Sequence, residues 1–266
     1  MNSKLILSTK LTANSKTQLN DYFVSPPFKL MTLPVYDDPW QNGLNAMQMS
    51  SSPGLLGGDH LDIQISLAEN TALSLNTQAF TRVQAMNEQD FAEQITKITL
   101  AKNSHLFYLP HPLVLHKNSA LKQKTQIEVG ENAELIYGEI VAIGRVLNGE
   151  RFEFRQFSSH LKITSGNKVL VSDCIQWLPA TMSLTALSQM EEYSHQGSLI
   201  YLNLAQNATE LKQLILEIRD SIGEPNNMLV GISQLNEGGF MLRVLSHRAD
   251  VIQQLFDKIG LKLKQH

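Results

Sequence analysis

Across much of the first two-thirds of the chain, apolar and polar residues alternate with period two, as in Leu61-Asp62-Ile63-Gln64-Ile65-Ser66-Leu67 and Ile127-Glu128-Val129. Successive side chains of a strand point to opposite faces, so this pattern predicts strands with one buried face. Helical periodicity is nearly absent over the same span. A weak repeat runs through it: Leu67-Ala68-Glu69-Asn70-Thr71-Ala72-Leu73, then Leu100-Ala101-Lys102-Asn103-Ser104-His105-Leu106, then Val129-Gly130-Glu131-Asn132-Ala133-Glu134-Leu135, with the asparagines 33 and 29 residues apart. In each copy a strand ends on an aliphatic residue, a polar-Asn-small turn follows and a new strand begins. Asn suits such a turn because its short amide tolerates left-handed backbone and can bond its own main chain. Stacked β units produce a repeat of this length, each burying its apolar face on its neighbours; three ordinary hairpins would give the same local pattern, so both arrangements stay open.

The last third changes character. A strand at Leu199 to Leu204 leads to Thr209 as a candidate N-cap, and Leu211, Leu214, Ile215, Ile218 and Ile222 then recur at helical spacing until Gly223. Met228 to Leu235 and Phe240 to Leu245 read as strands joined by a hairpin at Asn236-Glu237-Gly238-Gly239. Val251, Ile252, Leu255, Phe256 and Ile259 define a second helix, with Gly260 as its expected C-cap. The predicted fold is mainly β: β-helix or solenoid-like stacked strands over residues 1–178. A small C-terminal α+β annex carrying two helices, in the order β-α-β-β-α, covers 179–266 and packs on it as one structural unit.

Composition narrows the function. With 42% hydrophobic and 18% charged residues among 266, the chain has material for a sizeable core. A net charge of −3 leaves no basic excess for phosphates, so neither nucleic acid nor a membrane surface is the expected partner. The apolar stretch Leu5 to Leu7 is too short for a signal sequence or a membrane span, and the single Cys174 suits a reducing compartment; a cytoplasmic protein is expected. Cys174 itself reads as a packed thiol in a strand over Val169 to Trp177. No phosphate-binding loop, dinucleotide fingerprint, nucleophile elbow or H-E-x-x-H motif occurs.

Three polar concentrations remain. In Ser50-Ser51-Ser52-Pro53-Gly54-Leu55-Leu56-Gly57-Gly58-Asp59 the glycines permit close backbone approach and Asp59 offers a hard oxygen, although a purely structural turn accounts for the composition equally well. Asn76-Thr77-Gln78-Ala79-Phe80-Thr81-Arg82 carries polar groups on both strand faces, as strands do that line a wet cavity or meet another chain. Glu139 sits in an apolar run and, if its face is buried, needs Arg145, a cation or a hydrogen-bond partner; an ordinary ion pair is preferred. His105, His111 and His116 lie close in sequence, but Pro110 and Pro112 kink the connection, so turn packing is preferred to metal coordination. A carbohydrate-active β-helix enzyme would have to draw its paired carboxylates from Asp59, Asp62 and Glu69. A β-solenoid with a purely structural role is the other alternative.

Pro26-Pro27-Phe28-Lys29-Leu30, Ser52-Pro53-Gly54-Leu55-Leu56-Gly57-Gly58-Asp59, Thr77-Gln78-Ala79, Pro110-His111-Pro112 and Gly144-Arg145 follow one another in an order that resembles the urease accessory proteins UreD, called UreH in some bacteria. The first of these runs looks especially like the UreH branch. The sequence departs from the common pattern at Phe80, where a small residue often follows Thr-Gln-Ala, and at Val146, where proline often follows Gly-Arg. The resemblance implies a β-helix-like body with a helical annex, and a non-enzymatic scaffold that binds UreF, through it the GTPase UreG, and apo-urease. A dimeric complex formed through UreF is one arrangement it allows. It further implies no tightly bound cofactor but a transient nickel ion in an internal passage, touched by Asp59, Thr77 and Glu139. Pro53, Gly57, Gly58, Gln78, Gly144 and Arg145 are then partner-binding or structural positions.

Overall fold

A computed structural model describes residues 1–36, 38–223 and 227–266. The strands, in chain order, are β1 (Asn2–Leu11), β2 (Thr17–Val24), β3 (Phe28–Leu33), β4 (Leu44–Ser50), β5 (His60–Leu67), β6 (Ala72–Thr77), β7 (Thr81–Val83), β8 (Ala92–Leu100), β9 (His105–Leu109), β10 (Leu113–Leu115), β11 (Ala120–Val129), β12 (Glu134–Ala142), β13 (Gln156–Ser165) and β14 (Lys168–Trp177). They are followed by β15 (His195–Asn203), helix α1 (Ala208–Ile222), β16 (Met228–Gln234), β17 (Gly239–Ser246) and helix α2 (Ala249–Leu263).

The period-two pattern sorts these strands into two facing sheets. One has the order β14-β13-β11-β8-β5-β1-β2, in which β1, β5, β8, β11 and β13 are mutually parallel. The other has the order β16-β17-β15-β12-β9-β6-β4-β3, with β4, β6, β9 and β12 parallel. Each asparagine turn carries the chain from the first sheet to the second: β5 to β6 at Asn70, β8 to β9 at Asn103, β11 to β12 at Asn132. Strands flanking a turn therefore lie in different sheets, and like strands pair from rung to rung, which makes the repeat a solenoid rather than a set of hairpins. Asn70, Asn103 and Asn132 all adopt left-handed backbone (φ 57°, 53° and 54°), and the Asn103 side-chain amide donates to Asn70 Oδ1 at 3.0 Å, so the turns are stitched to each other along the stack.

Between the sheets, Leu5, Leu7, Ile63, Ile65, Leu73, Leu75, Leu106 and Leu135 are at most 1% exposed. The second sheet is also covered on its outer face. Ile136 and Ile140 of β12 and Leu199 and Tyr201 of β15 point away from the solenoid interior and pack under the helices, whose Leu214, Ile218, Ile252 and Phe256 close a second core. The C-terminal strands thus extend the solenoid's own sheet, with β15 pairing along the whole of β12.

Several local expectations change. Asn207, not Thr209, caps α1: its side chain accepts from the Thr209 and Glu210 amides while Glu210 bonds back to the Asn207 N–H, because the capping box needs its carboxylate three residues on. Gly260 does not end α2, which runs on to Leu263; a Cβ at Gly260 would strike the Phe107 ring, so this glycine serves close helix–sheet packing. Cys174 lies in a strand as expected but is exposed, since β14 is the edge of its sheet and Cys174 alternates away from the buried Val171 and Trp177.

One polar contact fastens the last residues to the first rungs. Lys264, just past α2, reaches through the core to Asp38 Oδ2 and Ser74 Oγ, both at 2.7 Å, with its ammonium 4.3 Å and 4.9 Å from the Phe107 and Trp40 ring centres. The opposite end of the second sheet is sensitive to pH. At the start of β15, burial pushes the His195 imidazole down to about 4. The sign follows from linkage: the unfolded chain binds this proton more tightly, so the contribution is complete above about pH 6.5 and is lost as pH falls towards 4. His195→Gln should therefore flatten the decline in urea midpoint between pH 7 and pH 4; an unchanged slope would place the sensitivity elsewhere.

Candidate functional site

Strand register places a cluster of polar residues inside the apolar sandwich. In the first sheet Gln94 and Gln123 sit opposite each other in the row of Leu61 and Ser159, and Thr96 and Thr125 in the row of Ile63 and Leu161. The buried state of Leu61, Ile63 and Leu161 fixes both rows as inward-facing. In the second sheet Gln48 pairs with Thr77, Tyr108 with Tyr137, and Glu139 with Ser198, which is opposite Arg243. The Tyr108–Tyr137 row, which continues to Leu75 and Ile200, lies beside the positions of Thr77 and Glu139, so these polar side chains gather on neighbouring inward rows.

A narrow cavity of about 50 Å³ lies in this cluster, bounded by Gln48, Thr77, Gln94, Gln123, Tyr137 and Glu139 among others. It shares Gln48, Thr77, Thr81, Gln94 and His111 with a wider concavity of about 440 Å³ that Pro53, Gly54, Gln78 and Phe80 also line. The wider space is the mouth of the narrow one.

Hydroxyl, amide and carboxylate oxygens share the cavity wall with aliphatic side chains such as Ile63, Leu113 and Val141. Thr77 Oγ1 accepts from the His111 backbone N–H at 2.7 Å and shares a second hydrogen bond with His111 Nδ1 at 3.1 Å. Tyr108 donates to Gln48 Oε1 at 3.3 Å, and Tyr137 to Glu139 Oε1 at 2.6 Å. Burial and the Glu139 charge raise both phenols far above their usual range, so they stay neutral. Burial also raises the Glu139 carboxyl, against the Tyr137 hydrogen bond. Gln123 Oε1 is buried without a hydrogen-bond partner among the described residues. On the strand beyond Ser198, the exposed Arg243 donates to Asp173 Oδ1 at 2.5 Å, so its charge is already paired.

Thr77 and Glu139 are thus brought to one cavity, with Pro53 and Gln78 at its mouth. Asp59 is elsewhere: it is 6% exposed, its Oδ2 accepts from the Leu56 N–H at 2.8 Å and its Oδ1 pairs with the Met1 ammonium at 2.9 Å. Gly57 and Gly58 make the turn that Asp59 closes; Gly58 has φ 78°, and a Cβ on Gly57 would crowd Asp90. The expected Glu139–Arg145 pair does not form, because Arg145 lies beyond Gly144 on a turn where it grips Glu150 through Nε at 2.9 Å and a second shorter bond. The histidines diverge: His105 bonds Glu134 at 2.7 Å, His111 bonds Thr77, and His116 packs near Arg145. Among the described residues no three His, Cys, Asp or Glu side chains could hold a metal together.

Asp59 and Glu69 lie beyond opposite ends of β5, whose seven steps alone span about 23 Å at strand rise, and Asp62 points outward, bonded to Gln64. A glycosidase needs carboxylates roughly 5–9.5 Å apart, so this arrangement does not serve that chemistry. The passage can instead give a small cation a series of neutral oxygens and one carboxylate, contacts weak enough to exchange. Sequence reading missed Gln48, Gln94, Thr96, Gln123 and Thr125; the available signal was polar residues at inward positions of the alternation.

Comparison with known proteins places the chain. The family model described as UreD urease accessory protein matches residues 2–266. A urease accessory protein UreD of Actinobacillus pleuropneumoniae serotype 5b is 71% identical over 264 residues, covering 99% of this chain and 98% of the relative. Two from Haemophilus influenzae are similar: strain 86-028NP is 70% identical with 99% of each chain covered, and strain Rd 68% identical over 96% of this chain and all of the relative. No helix among the described residues is long and apolar enough to cross a membrane. The chain belongs to the UreD family of urease accessory proteins.

Proposed function

We propose that this chain is a non-catalytic scaffold in urease maturation that passes nickel through its inter-sheet cavity towards apo-urease. The observation that carries this reading is the polar cluster inside an otherwise apolar sandwich, with Glu139 as the carboxylate lining its cavity. Burying amides, hydroxyls and a carboxylate there costs stability, which an ion path accounts for and a purely structural solenoid does not. Nickel is cargo: it exchanges water for Gln48, Thr77 and Gln123 oxygens and is drawn on by Glu139, with no tight coordination to delay release. Asp59 contributes at most a long-range negative potential, since its oxygens are engaged by the glycine turn and Met1.

UreF is the proposed direct partner, bringing the GTPase UreG, with a dimeric complex arising through UreF. Its contact region is the helical annex and the connection 179–197, where Leu187, Leu216 and Leu261 are 85%, 51% and 50% exposed. The compartment is the cytoplasm. Two measurements test the reading. Deleting the chain in a urease-positive host should leave urease subunits present but nickel-poor, and co-expressed UreF should co-purify with the chain and raise its soluble yield. Normal nickel content in the deletion strain removes the assembly role; a fully soluble chain that never retains UreF removes the partner assignment.

A further inference from the structure

A second concavity, about 850 Å³, opens between the turn after β12 and the start of α2. Its apolar surface comes from Phe80, Val114, Ala142 and Val146, and above it stands Leu147, whose side chain is fully exposed at the crown of a 3₁₀ turn. That turn is braced, not loose: Arg145 and Glu150 clasp each other across it, Gly149 takes the left-handed conformation, and the Gly149 N–H bonds Val146 O at 3.0 Å. A rigid, fully solvated leucine beside an apolar floor is an unfilled anchor.

The rim is cationic on a chain of net charge −3: Arg82, Arg145 and Arg248 line the groove against Asp250 alone among acids. Arg145 and Arg248 already hold Glu150 and Asp250. Arg82 makes no side-chain hydrogen bond or ion pair among the described residues, and the ring of His116, 8% exposed, has no hydrogen-bond partner among them. Burial and the neighbouring Arg145 hold His116 in its neutral form, which presents one N–H and one lone pair.

We propose that this groove receives an extended acidic peptide segment of a protein partner, with an aliphatic or aromatic side chain seated against Leu147 and Phe80 and an adjacent carboxylate on Arg82. One free guanidinium beside an apolar floor is too few cations to follow a nucleic-acid backbone and suits a carboxylate next to a hydrophobic anchor. His195 and His247 also line the groove, but His195 Nδ1 is engaged by Ser194 Oγ at 2.8 Å and His247 stacks on Tyr193, so they do not converge with His116 on a metal. Phe80 and Arg82 belong both to this groove and to the mouth of the inter-sheet passage, so the bound segment lies beside that mouth. The groove stands independently of any ion in the passage.

The test uses the full chain on an array of hexapeptides, each with one leucine or phenylalanine and zero to three Asp or Glu residues, alongside oligothymidylate. Retention should rise with the number of carboxylates next to the anchor. It should fall about tenfold or more in Arg82→Glu and several-fold in Leu147→Ser, and match the unaltered chain in Glu139→Gln. Both groove positions are exposed, so melting should be unchanged; if Arg82→Glu melts early, Arg82→Gln and Leu147→Ser decide. Retention that ignores carboxylates, survives Arg82→Glu and Arg82→Gln, favours oligothymidylate or never occurs would overturn the proposal.

Discussion

A Glu139→Gln chain should fold normally, keep its partners and mature urease about tenfold more slowly, the low end of the roughly 10- to 1000-fold by which clefts lined by one sign of charge raise counter-ion entry. The substitution is chosen because glutamine still accepts the hydrogen bond that Tyr137 donates at 2.6 Å, so shape and satisfaction are preserved while the charge is lost. Arg145 is no complication: it is bound to Glu150, so no guanidinium is left unpaired when Glu139 is neutralised. The readout is nickel per urease active site against time, at matched amounts of co-purified UreF. Because burial raises the Glu139 carboxyl, the unaltered chain should itself lose delivery as pH falls, whereas Glu139→Gln should be slow at every pH. Equal rates for the two chains would remove Glu139 from the path.

The second large effect is on stability. Asp38→Ala should cost about 3–5 kcal/mol, because it strands the Lys264 ammonium among Phe107, Trp40 and Ser74 with its carboxylate gone. Asp38→Ala combined with Lys264→Met should recover most of that loss, since an apolar side chain of similar length leaves no charge to bury. Urea midpoints of both chains check the pair. A double variant no more stable than Asp38→Ala would mean that packing around the helix end, and not the ion pair, holds the C-terminus.

Much of this architecture was legible because its signals are local. Asn70, Asn103 and Asn132 announced left-handed turns, and the alternation around Leu61 and Ile127 announced half-buried strands. What the turns could not reveal is that each one changes sheet, since a hairpin and a solenoid rung share the same local grammar. The passage was half legible for the same reason. Glu139 stood out against aliphatic neighbours, whereas Gln94 and Gln123 look like ordinary outward residues until the register with Leu61 turns them inward. Arg145 was paired with the wrong acid because sequence distance cannot tell that Gly144 turns the chain back onto Glu150. Gly260 looked like a helix stop, and only the approach of Phe107 from another element explains it.

The bond between Asp38 and Lys264 also sets a clock on synthesis. Its two residues lie 226 apart in sequence, and at about 5–20 residues per second of translation the second emerges roughly 10–45 s after the first. Throughout that interval the earliest rungs wait on the ribosome with a buried-to-be carboxylate still open to water and the outer face of their sheet uncovered by α2. Nascent chains therefore carry an uncovered apolar sheet face, open to proteases and to one another, until α2 has been made and Lys264 reaches Asp38.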